Sequence, residues 1–180
     1  MKMQPLLIVA LALGLLAILI ATSQAKAANA PKELDRTTVD SLDLDRYLGT
    51  WYEIARKPHF FEKGMSYVTA TYTLQPDGSI EVVNKGIKNG KPKTSRGKAK
   101  TTDKPGRLKV TFFLFPAEYN VLEVGPEYEY AVVGGSNGNY LWILSRTPAL
   151  DDALLEAIYG RLAERGYDLS NVTMVPQNVK

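Results

Sequence analysis

A glycine two residues before a tryptophan, at the start of a strand-like run, constrains this chain more than any other feature. Gly49 and Trp51 lie in the segment LDLDRYLGTWYEIAR, where a polar turn meets a mostly apolar run. This pattern is typical of a chain that bends tightly and then directs a large ring into an interior. Arg146, at the end of the later run LWILSR, can stack its planar guanidinium on the indole and bind loop carbonyls. Together these residues predict one covered end of a β-barrel.

Short segments with a period of two residues follow Trp51 and are separated by turn residues. Residues 67–74 show the alternation most clearly, because apolar side chains fall on one face and mainly threonines fall on the other. Residues 75–78 form the next turn, and the pair Asn89-Gly90 is typical of a two-residue β-hairpin. A series of such segments indicates an antiparallel β-sandwich or β-barrel.

The remaining strands and one helix follow from the same alternation and from capping residues. Residues 96–102 place cations on one face and only small residues on the other, which we interpret as a wall with space behind it. Alternation also directs Leu114 and Glu123 inward. Asp151 can cap a helix whose apolar stripe ends near Gly166. The strands predicted after the first two are residues 79–87, 96–102, 107–114, 119–124, 128–134 and 140–145, with a short final strand at 173–175.

Gly49, Trp51 and Arg146, taken with the flanking sequences WYEIAR and YLWILSRTP, resemble the motifs of the lipocalin family, in particular its bacterial members and its apolipoprotein D branch. The resemblance extends over residues 28–180. It implies an all-β fold, an eight-stranded antiparallel up-and-down β-barrel (a calyx) with a C-terminal α-helix packed outside and a short final strand. It also implies that these three residues are structural and lie at the closed end. Residues 125–128 depart from the family's second motif, which leaves the bonding of that turn open.

The calyx of the family holds a small hydrophobic molecule, and the strand register indicates which residues would line it here. For this chain the resemblance implies a fatty acid or a lysophospholipid, carried for lipid transport, membrane maintenance or a stress response, with no cofactor and no metal. Tyrosine hydroxyls and Asn84 would supply the few polar contacts that orient the ligand. The candidate ligand-binding residues are Val68, Ala70, Tyr72, Val82, Asn84, Val110, Phe112, Tyr119, Val121, Val133, Tyr140 and Trp142.

Residues 1–27 are predicted to be a secretory signal peptide, and residues 28–180 the folded domain. Lys2 gives a positive start, residues 6–21 are an unbroken apolar run, and the segment AKA offers small residues for cleavage. Export to a periplasm or cell envelope is therefore expected, with an uncleaved membrane anchor as the alternative. The sequence contains no cysteine, so neither acylation of an N-terminal cysteine nor a disulfide is available.

One histidine and no cysteine leave little material for catalysis. A Cys-His pair is impossible, and a Ser-His-Asp set would need His59, which lies in the sequence KPHFF after the first strand. We interpret His59 as an exposed loop residue, and we expect no zinc site because thiolate and imidazole ligands are scarce. A lipocalin-like enzyme on an isoprenoid or lipid substrate is a weaker alternative to a carrier, as is a ligand-free structural or envelope-stress protein.

Residues 85–109 carry ten cationic side chains and a single acid, Asp103. A solvated outer strand face that discourages edge pairing is the favoured interpretation. Attraction to anionic lipid headgroups at a membrane surface is the alternative. Nucleic acid is not an expected partner, because that face lacks aromatic side chains for stacking.

Two further features leave more than one interpretation. Glu53 and Glu123 are costly in an apolar interior unless they are paired. Glu123 either lies wetted or paired near the barrel mouth, or contacts a ligand headgroup. The loop His59-Phe60-Phe61 either touches a membrane during lipid exchange or covers the calyx. The sequence leaves both a monomer and a homodimer open.

Overall fold

Residues 33–177 of the 180-residue chain are described by a computed structural model, and the predicted signal peptide lies outside the described residues. Strands dominate the described part of the chain, with a short helix before the first strand and a longer helix before the last. The elements are α1 (Leu44–Tyr47), β1 (Gly49–Arg56), β2 (Met65–Leu74), β3 (Ile80–Lys88), β4 (Lys91–Thr101), β5 (Arg107–Phe112), β6 (Phe115–Val124), β7 (Tyr130–Gly134), β8 (Leu141–Ser145), α2 (Asp152–Glu164) and β9 (Thr173–Met174).

The strands form one antiparallel sheet that closes into a barrel. Hydrogen-bonded neighbours follow the order β2-β3-β4-β5-β6-β7-β8-β1, and β1 also pairs with β2, which completes the ring. The short strand β9 pairs with the last residues of β1, outside this ring. The predicted fold, an eight-stranded up-and-down barrel with an outer C-terminal helix and a short final strand, is confirmed.

The up-and-down order gives the barrel two different ends. The helix α1 and the turns at residues 75–79, 102–106 and 125–129 lie at the end that we call closed. The other, open end carries the loops 57–64 and 135–140 and the hairpins 88–91 and 112–115. The first of these hairpins is the predicted one, because Asn89 and Gly90 adopt φ values of +53° and +70° in a two-residue loop.

Apolar side chains pack in two layers, one inside the barrel and one between the barrel and α2. The inner cluster surrounds Trp51, and the outer cluster joins Leu122 of β6 to Ile158 of α2. As predicted, Asp151 caps α2 by accepting a hydrogen bond from a first-turn amide, and Gly166, with a φ of +83°, follows its end. Within the described residues, no helix has the length and apolar character needed to cross a membrane.

A β-bulge in β6 overturns the predicted inward orientation of Glu123. The pairing steps from Val121 opposite Val133 to Glu123 opposite Val132, so one extra residue is inserted in β6. Leu122 joins the outer cluster, and Glu123 accepts hydrogen bonds from α2. The carboxylate is therefore paired with a cation, but outside the barrel and not at its mouth. Strict alternation fails here because the inserted residue shifts every later side chain by one position.

Two further predictions about exposure are wrong. Leu114 is 82% exposed and not inward, because β5 ends at Phe112 and Leu114 lies in the following hairpin loop. The side chain of His59 is only 5% exposed, because the loop folds it against the ring of Phe61 and next to Glu62. The sequence alternation around Leu114 and His59 contains nothing that would have predicted these orientations.

The small-residue face of β4 is present, but the space behind it is partly filled. Gly97 lies opposite Val82 in the sheet, on the inner face. The ring of Phe112 passes within 2.8 Å of the position that a Cβ atom on Gly97 would take. The interpretation of this face as a wall with free space behind it is thus wrong at Gly97, where the missing side chain accommodates an aromatic ring.

Candidate functional site

The closed end of the barrel is built around Trp51, whose side chain is fully buried. Gly49 begins β1 with a φ of +92°, which suits glycine and allows the bend that turns the indole inward. The Cζ atom of Arg146 lies 3.7 Å from the centroid of the indole, and the indole Nε1 donates to the Tyr47 carbonyl at 2.8 Å. The predicted arginine cover over the tryptophan is therefore present.

Arg146 also connects three segments of the closed end through their backbone carbonyls. Its guanidinium donates to the carbonyl oxygen of Thr50 at 3.0 Å, to that of Tyr128 at 3.3 Å, and to that of Arg46. The turn that departs from the family motif is bonded through Tyr128. The Tyr128 hydroxyl accepts a hydrogen bond from the Asp43 amide at 2.8 Å, and the Tyr128 ring lies 4.5 Å from the Arg46 guanidinium.

Above this floor the barrel encloses a cavity of about 470 Å³. Small-molecule sites typically have volumes of about 300–1,000 Å³. The predicted ligand-binding residues that line the cavity are Val68, Ala70, Tyr72, Val82, Asn84, Val110, Phe112, Tyr119, Val133, Tyr140 and Trp142. The remaining one, Val121, does not line it and lies next to the closed-end turn, where its backbone amide donates to the Gly106 carbonyl at 2.8 Å.

The sequence reasoning missed several lining residues, most of them at the open end. Leu144 shares a strand face with Tyr140 and Trp142, so the alternation contained the signal for it. The residues of the loops carry no periodicity that could have indicated an inward orientation. The additional lining residues are Glu53, Phe61, Glu62, Pro116, Ala117, Glu118, Gly135, Ser136 and Leu144.

Three tyrosine hydroxyls form a hydrogen-bonded chain inside the barrel. The hydroxyl of Tyr119 lies 2.6 Å from that of Tyr47 and 2.8 Å from that of Tyr72. Burial raises the pKa of all three phenols, so they remain protonated at neutral pH. Two hydrogen bonds use two of the three hydroxyl hydrogens, which leaves one hydrogen for a further acceptor such as a ligand oxygen.

Glu53 and Glu62 place two carboxyl groups in an otherwise largely apolar wall. Both are buried, and Arg56 connects them: its Nη1 donates to Glu53 Oε1 at 2.6 Å and its Nη2 to the Glu62 backbone carbonyl at 2.8 Å. Burial, and then the charge of Glu62, raise the pKa of Glu53 to about 8, although Arg56 opposes the shift. This part of the wall disfavours a buried anion.

His59 supports the mouth of the cavity without lining it. Its Nε2 lies 3.0 Å from Glu62 Oε2, and Trp142 Nε1 donates to the same carboxylate oxygen at 3.1 Å. The imidazole stacks on Phe61 with 3.9 Å between ring centroids. Phe61, Glu62 and Trp142 all line the cavity, so His59 packs behind the residues around its opening.

Asn84 faces the cavity as predicted, and its Oδ1 is buried without a hydrogen-bond donor among the described residues. The cavity thus offers one acceptor from Asn84 and one hydroxyl donor from the tyrosine chain, set in mainly apolar walls. No group of three or more histidine, cysteine or acidic side chains in the described part of the chain is placed to hold a metal ion.

Comparison with known proteins relates this geometry to a family. Residues 42–177 match the family described as Lipocalin-like domain. The chain is similar to the outer membrane lipoprotein Blc of Escherichia coli (strain K12), with 46% identity over 146 residues that cover 78% of this chain and 82% of that protein. It is also similar to apolipoprotein D of Rattus norvegicus, with 32% identity over 180 residues that cover 93% and 94% of the two chains.

Solved structures share the barrel. The cockroach allergen Per a 4 superposes with a TM-score of 0.64 at 26% identity, covering 81% of this chain and 95% of that chain. Insecticyanin from the tobacco hornworm Manduca sexta superposes with a TM-score of 0.68 at 21% identity, covering 82% and 88%, and here the likeness concerns the fold alone. With the Trp51 floor, the Arg146 cover and the family match over residues 42–177, the chain belongs to the lipocalin family.

Proposed function

We propose that this lipocalin binds and carries a fatty acid or a lysophospholipid inside its barrel, for membrane lipid transport, maintenance or a stress response. The observation that carries the proposal is the cavity of about 470 Å³, which Trp51 and Arg146 close at one end. Mainly apolar side chains line this cavity, and a few polar groups stand among them. In this proposal the lining residues predicted from the sequence, apart from Val121, contact the ligand.

Energetics favour a ligand with a long acyl chain. Burial of about 16 carbons at about 0.8 kcal/mol per methylene gives about 12 kcal/mol before the costs of ordering and association. A micromolar dissociation constant requires only about 8 kcal/mol. The apolar contacts therefore suffice for useful affinity without a buried charge pair.

The wall chemistry favours one orientation of the bound lipid. Its hydrocarbon tail would point to the closed end near Trp51, since mainly apolar side chains line the cavity. The headgroup would remain at the open end. Tyr72 and Tyr119, the lining members of the hydroxyl chain, would lie beside the tail in this orientation and keep the hydrogen bond between their hydroxyls.

The cell envelope is the proposed site of action. Residues 1–27 have the pattern of a cleavable export signal, and the similar protein Blc is named an outer membrane lipoprotein. Because this chain contains no cysteine, it would meet the membrane by another contact than an acylated N-terminal cysteine. The proposed role is carriage without chemical turnover, and it requires neither a cofactor nor a metal.

A cavity-filling substitution tests the proposal. We expect a fluorescent fatty acid to bind saturably, and Ala70→Phe to weaken this binding by at least about tenfold, or about 1.4 kcal/mol, because residue 70 lines the cavity. The matched control is Thr73→Phe, an exposed position on the same strand, which should leave the dissociation constant within about twofold. Fluorescence titration measures both.

Native mass spectrometry of protein purified without detergent gives an independent check. A carrier of this kind should retain lipid, and the retained mass should be lost from the Ala70→Phe variant. Absence of saturable fatty-acid and lysophospholipid binding by the wild-type protein would contradict the proposal, as would equal binding by the Ala70→Phe and wild-type proteins.

A further inference from the structure

The open end of the barrel carries the most exposed large apolar side chains of the described chain. Phe60, Phe113, Leu114 and Phe115 are 82%, 93%, 82% and 81% exposed, and we call these four residues the apolar rim. The other exposed large apolar side chains among the described residues reach 56% at most. Such a concentration of exposed apolar side chains at one place indicates contact with a protein partner or a membrane.

The backbone at the tip of the β5–β6 hairpin is strained by its own sequence. Phe113 and Leu114 form a two-residue loop, and Phe113 has a φ of +67°. The two-residue loop between β3 and β4 also contains positive φ values, but there they fall on Asn89 and Gly90, which adopt them at little cost. A bulky residue in the left-handed region is unfavourable, so the needs of folding do not account for a phenylalanine at this tip.

Lysines flank the apolar rim at the mouth. Lys88, Lys91 and Lys93 line one hollow of about 810 Å³ together with most of the rim. None of these three ammonium groups forms an ion pair with a described residue. Farther along β4, Lys98 pairs with Asp77 at 2.9 Å, whereas Lys100 near the closed end forms no ion pair with a described residue. Unpaired positive charge therefore lies beside the exposed apolar side chains, although it is not confined to that place.

We propose that the open end docks on an anionic phospholipid bilayer, with the apolar rim inserted and the lysines at the level of the headgroups. Apolar side chains flanked by lysines complement a surface that is negative outside and apolar beneath. Glu62, the acid that lines the hollow, is buried beside His59 and Trp142 and forms no ion pair with the three lysines. The rim residues do not line the inner cavity, so docking goes beyond the proposed carriage and can be tested apart from it.

The apolar part of the surface is tested by vesicle flotation. The protein is expressed with its own leader and purified without detergent, and intact mass establishes that all variants are compared in the same form. Vesicles contain phosphatidylglycerol and phosphatidylcholine, or phosphatidylcholine alone. We expect the double substitution Phe113→Ser and Phe115→Ser to reduce partitioning onto anionic vesicles by at least about tenfold. The matched control, Leu74→Ser with Met174→Ser, removes exposed apolar side chains elsewhere and should change it by less than about twofold.

The charged part of the surface is tested by matched charge reversals. The pair Lys91→Glu and Lys93→Glu should reduce partitioning onto anionic vesicles by at least about tenfold. The pair Lys100→Glu and Lys109→Glu changes the net charge equally, but these lysines pair across β4 and β5 nearer the closed end. This variant should reduce partitioning onto anionic vesicles by less than about threefold. If both double variants lose the same amount of partitioning onto anionic vesicles, the proposal is overturned, because net charge alone would then explain the binding.

A single substitution separates docking from folding. Phe113→Asn removes the ring but favours the observed backbone, so the variant should keep or gain resistance to urea while it loses vesicle binding. Its fatty-acid affinity in solution should equal that of the wild type, so failure of docking and failure of carriage are distinguishable.

No partitioning of the wild type onto anionic vesicles would overturn the proposal. So would a wild-type dimer that Phe113→Ser with Phe115→Ser converts to monomers without any change in vesicle binding, because the rim would then bind a second copy.

Discussion

Arg146 combines two contacts in one planar group. Its guanidinium covers the face of Trp51 and donates hydrogen bonds to backbone carbonyls from three separate segments. A lysine would keep the positive charge but would lose the flat stacking surface and the fork of donors. The closed end therefore depends on the shape of this side chain as well as on its charge.

We expect Arg146→Lys to lower the free energy of unfolding by about 2 kcal/mol, because it removes a partly desolvated cation–π contact and hydrogen bonds from a charged donor. Urea denaturation measures the change. The control is Arg36→Lys, whose partner Glu118 is on the surface, and it should cost about 0.5 kcal/mol or less. If the two variants lose the same stability, the stacked arrangement has no special role.

Residues whose role follows from local chemistry could be predicted from the sequence, and residues placed by a loop could not. Gly49 and Trp51 lie within three positions and together predict a tight bend followed by a buried indole. Arg146 could be added because its guanidinium can stack on that indole. His59 was predicted to be exposed because its neighbours in the sequence show nothing of the rings that enclose it. The Glu53–Glu62 contact with Arg56 is similarly invisible, since it depends on how residues 57–64 fold over the strand.

Among the elements, β6 shows where alternation stops being a guide. The bulge turns Leu122 and Glu123 to the same face, and Glu123 then accepts hydrogen bonds from Arg161 of α2 and from the Tyr130 hydroxyl. No residue in the sequence VLEV marks the inserted position, so period-two alternation predicted that Glu123 faces the interior. The same bulge supplies the anchor that attaches α2 to the outside of the barrel.

We expect Arg161→Ala to lower the free energy of unfolding by about 1 kcal/mol, a modest value because the Arg161 side chain is 41% exposed and solvent screens the pair. Glu123, which is 22% exposed, would lose its cationic partner. Thermal or urea unfolding measures the effect. Arg96→Ala breaks a comparable pair with Glu81 on an open strand face, and its cost should be about 0.5 kcal/mol or less. A larger loss from Arg96→Ala would contradict the anchoring role.

For the molecule as a whole, the strand pattern left a β-sandwich and a β-barrel open, and the family resemblance implied the barrel; given a barrel, the pattern was sufficient to predict most of the cavity wall. Period-two alternation reports which side of a strand faces inward, and a closed barrel has a single interior, so Tyr72, Asn84 and Trp142 could be assigned together. The mouth could not be assigned in this way. Phe61 and Glu62 reach the cavity from a loop, and Val121 lies in the core despite its inward orientation, because depth within the barrel leaves no trace in the alternation.

Glu53 makes the stability of the whole fold depend on pH. Its pKa rises from 4.5 to about 8 on folding, so the folded state binds more protons than the unfolded state between these values. The free energy of unfolding should therefore fall as pH rises through this window, by up to about 1.4 kcal/mol per pH unit from this group. Glu53→Gln keeps an acceptor for Arg56 and should flatten the decline, as measured by urea unfolding at several pH values.

The control for this prediction is Glu127→Gln, at a side chain that is 86% exposed. It should leave the slope of stability against pH unchanged. If Glu53→Gln retains the full slope of the wild type, the burial of this carboxyl group is not the cause of the pH dependence.

The floor made by Trp51 and Arg146 closes one end of the barrel, so a chain carried as proposed would have to leave by the route along which it came. The part of the lipid that enters last would be the first to leave. In the proposed carriage, a lipid could not pass from one side of the protein to the other, and delivery would require the whole protein to reorient between donor and acceptor.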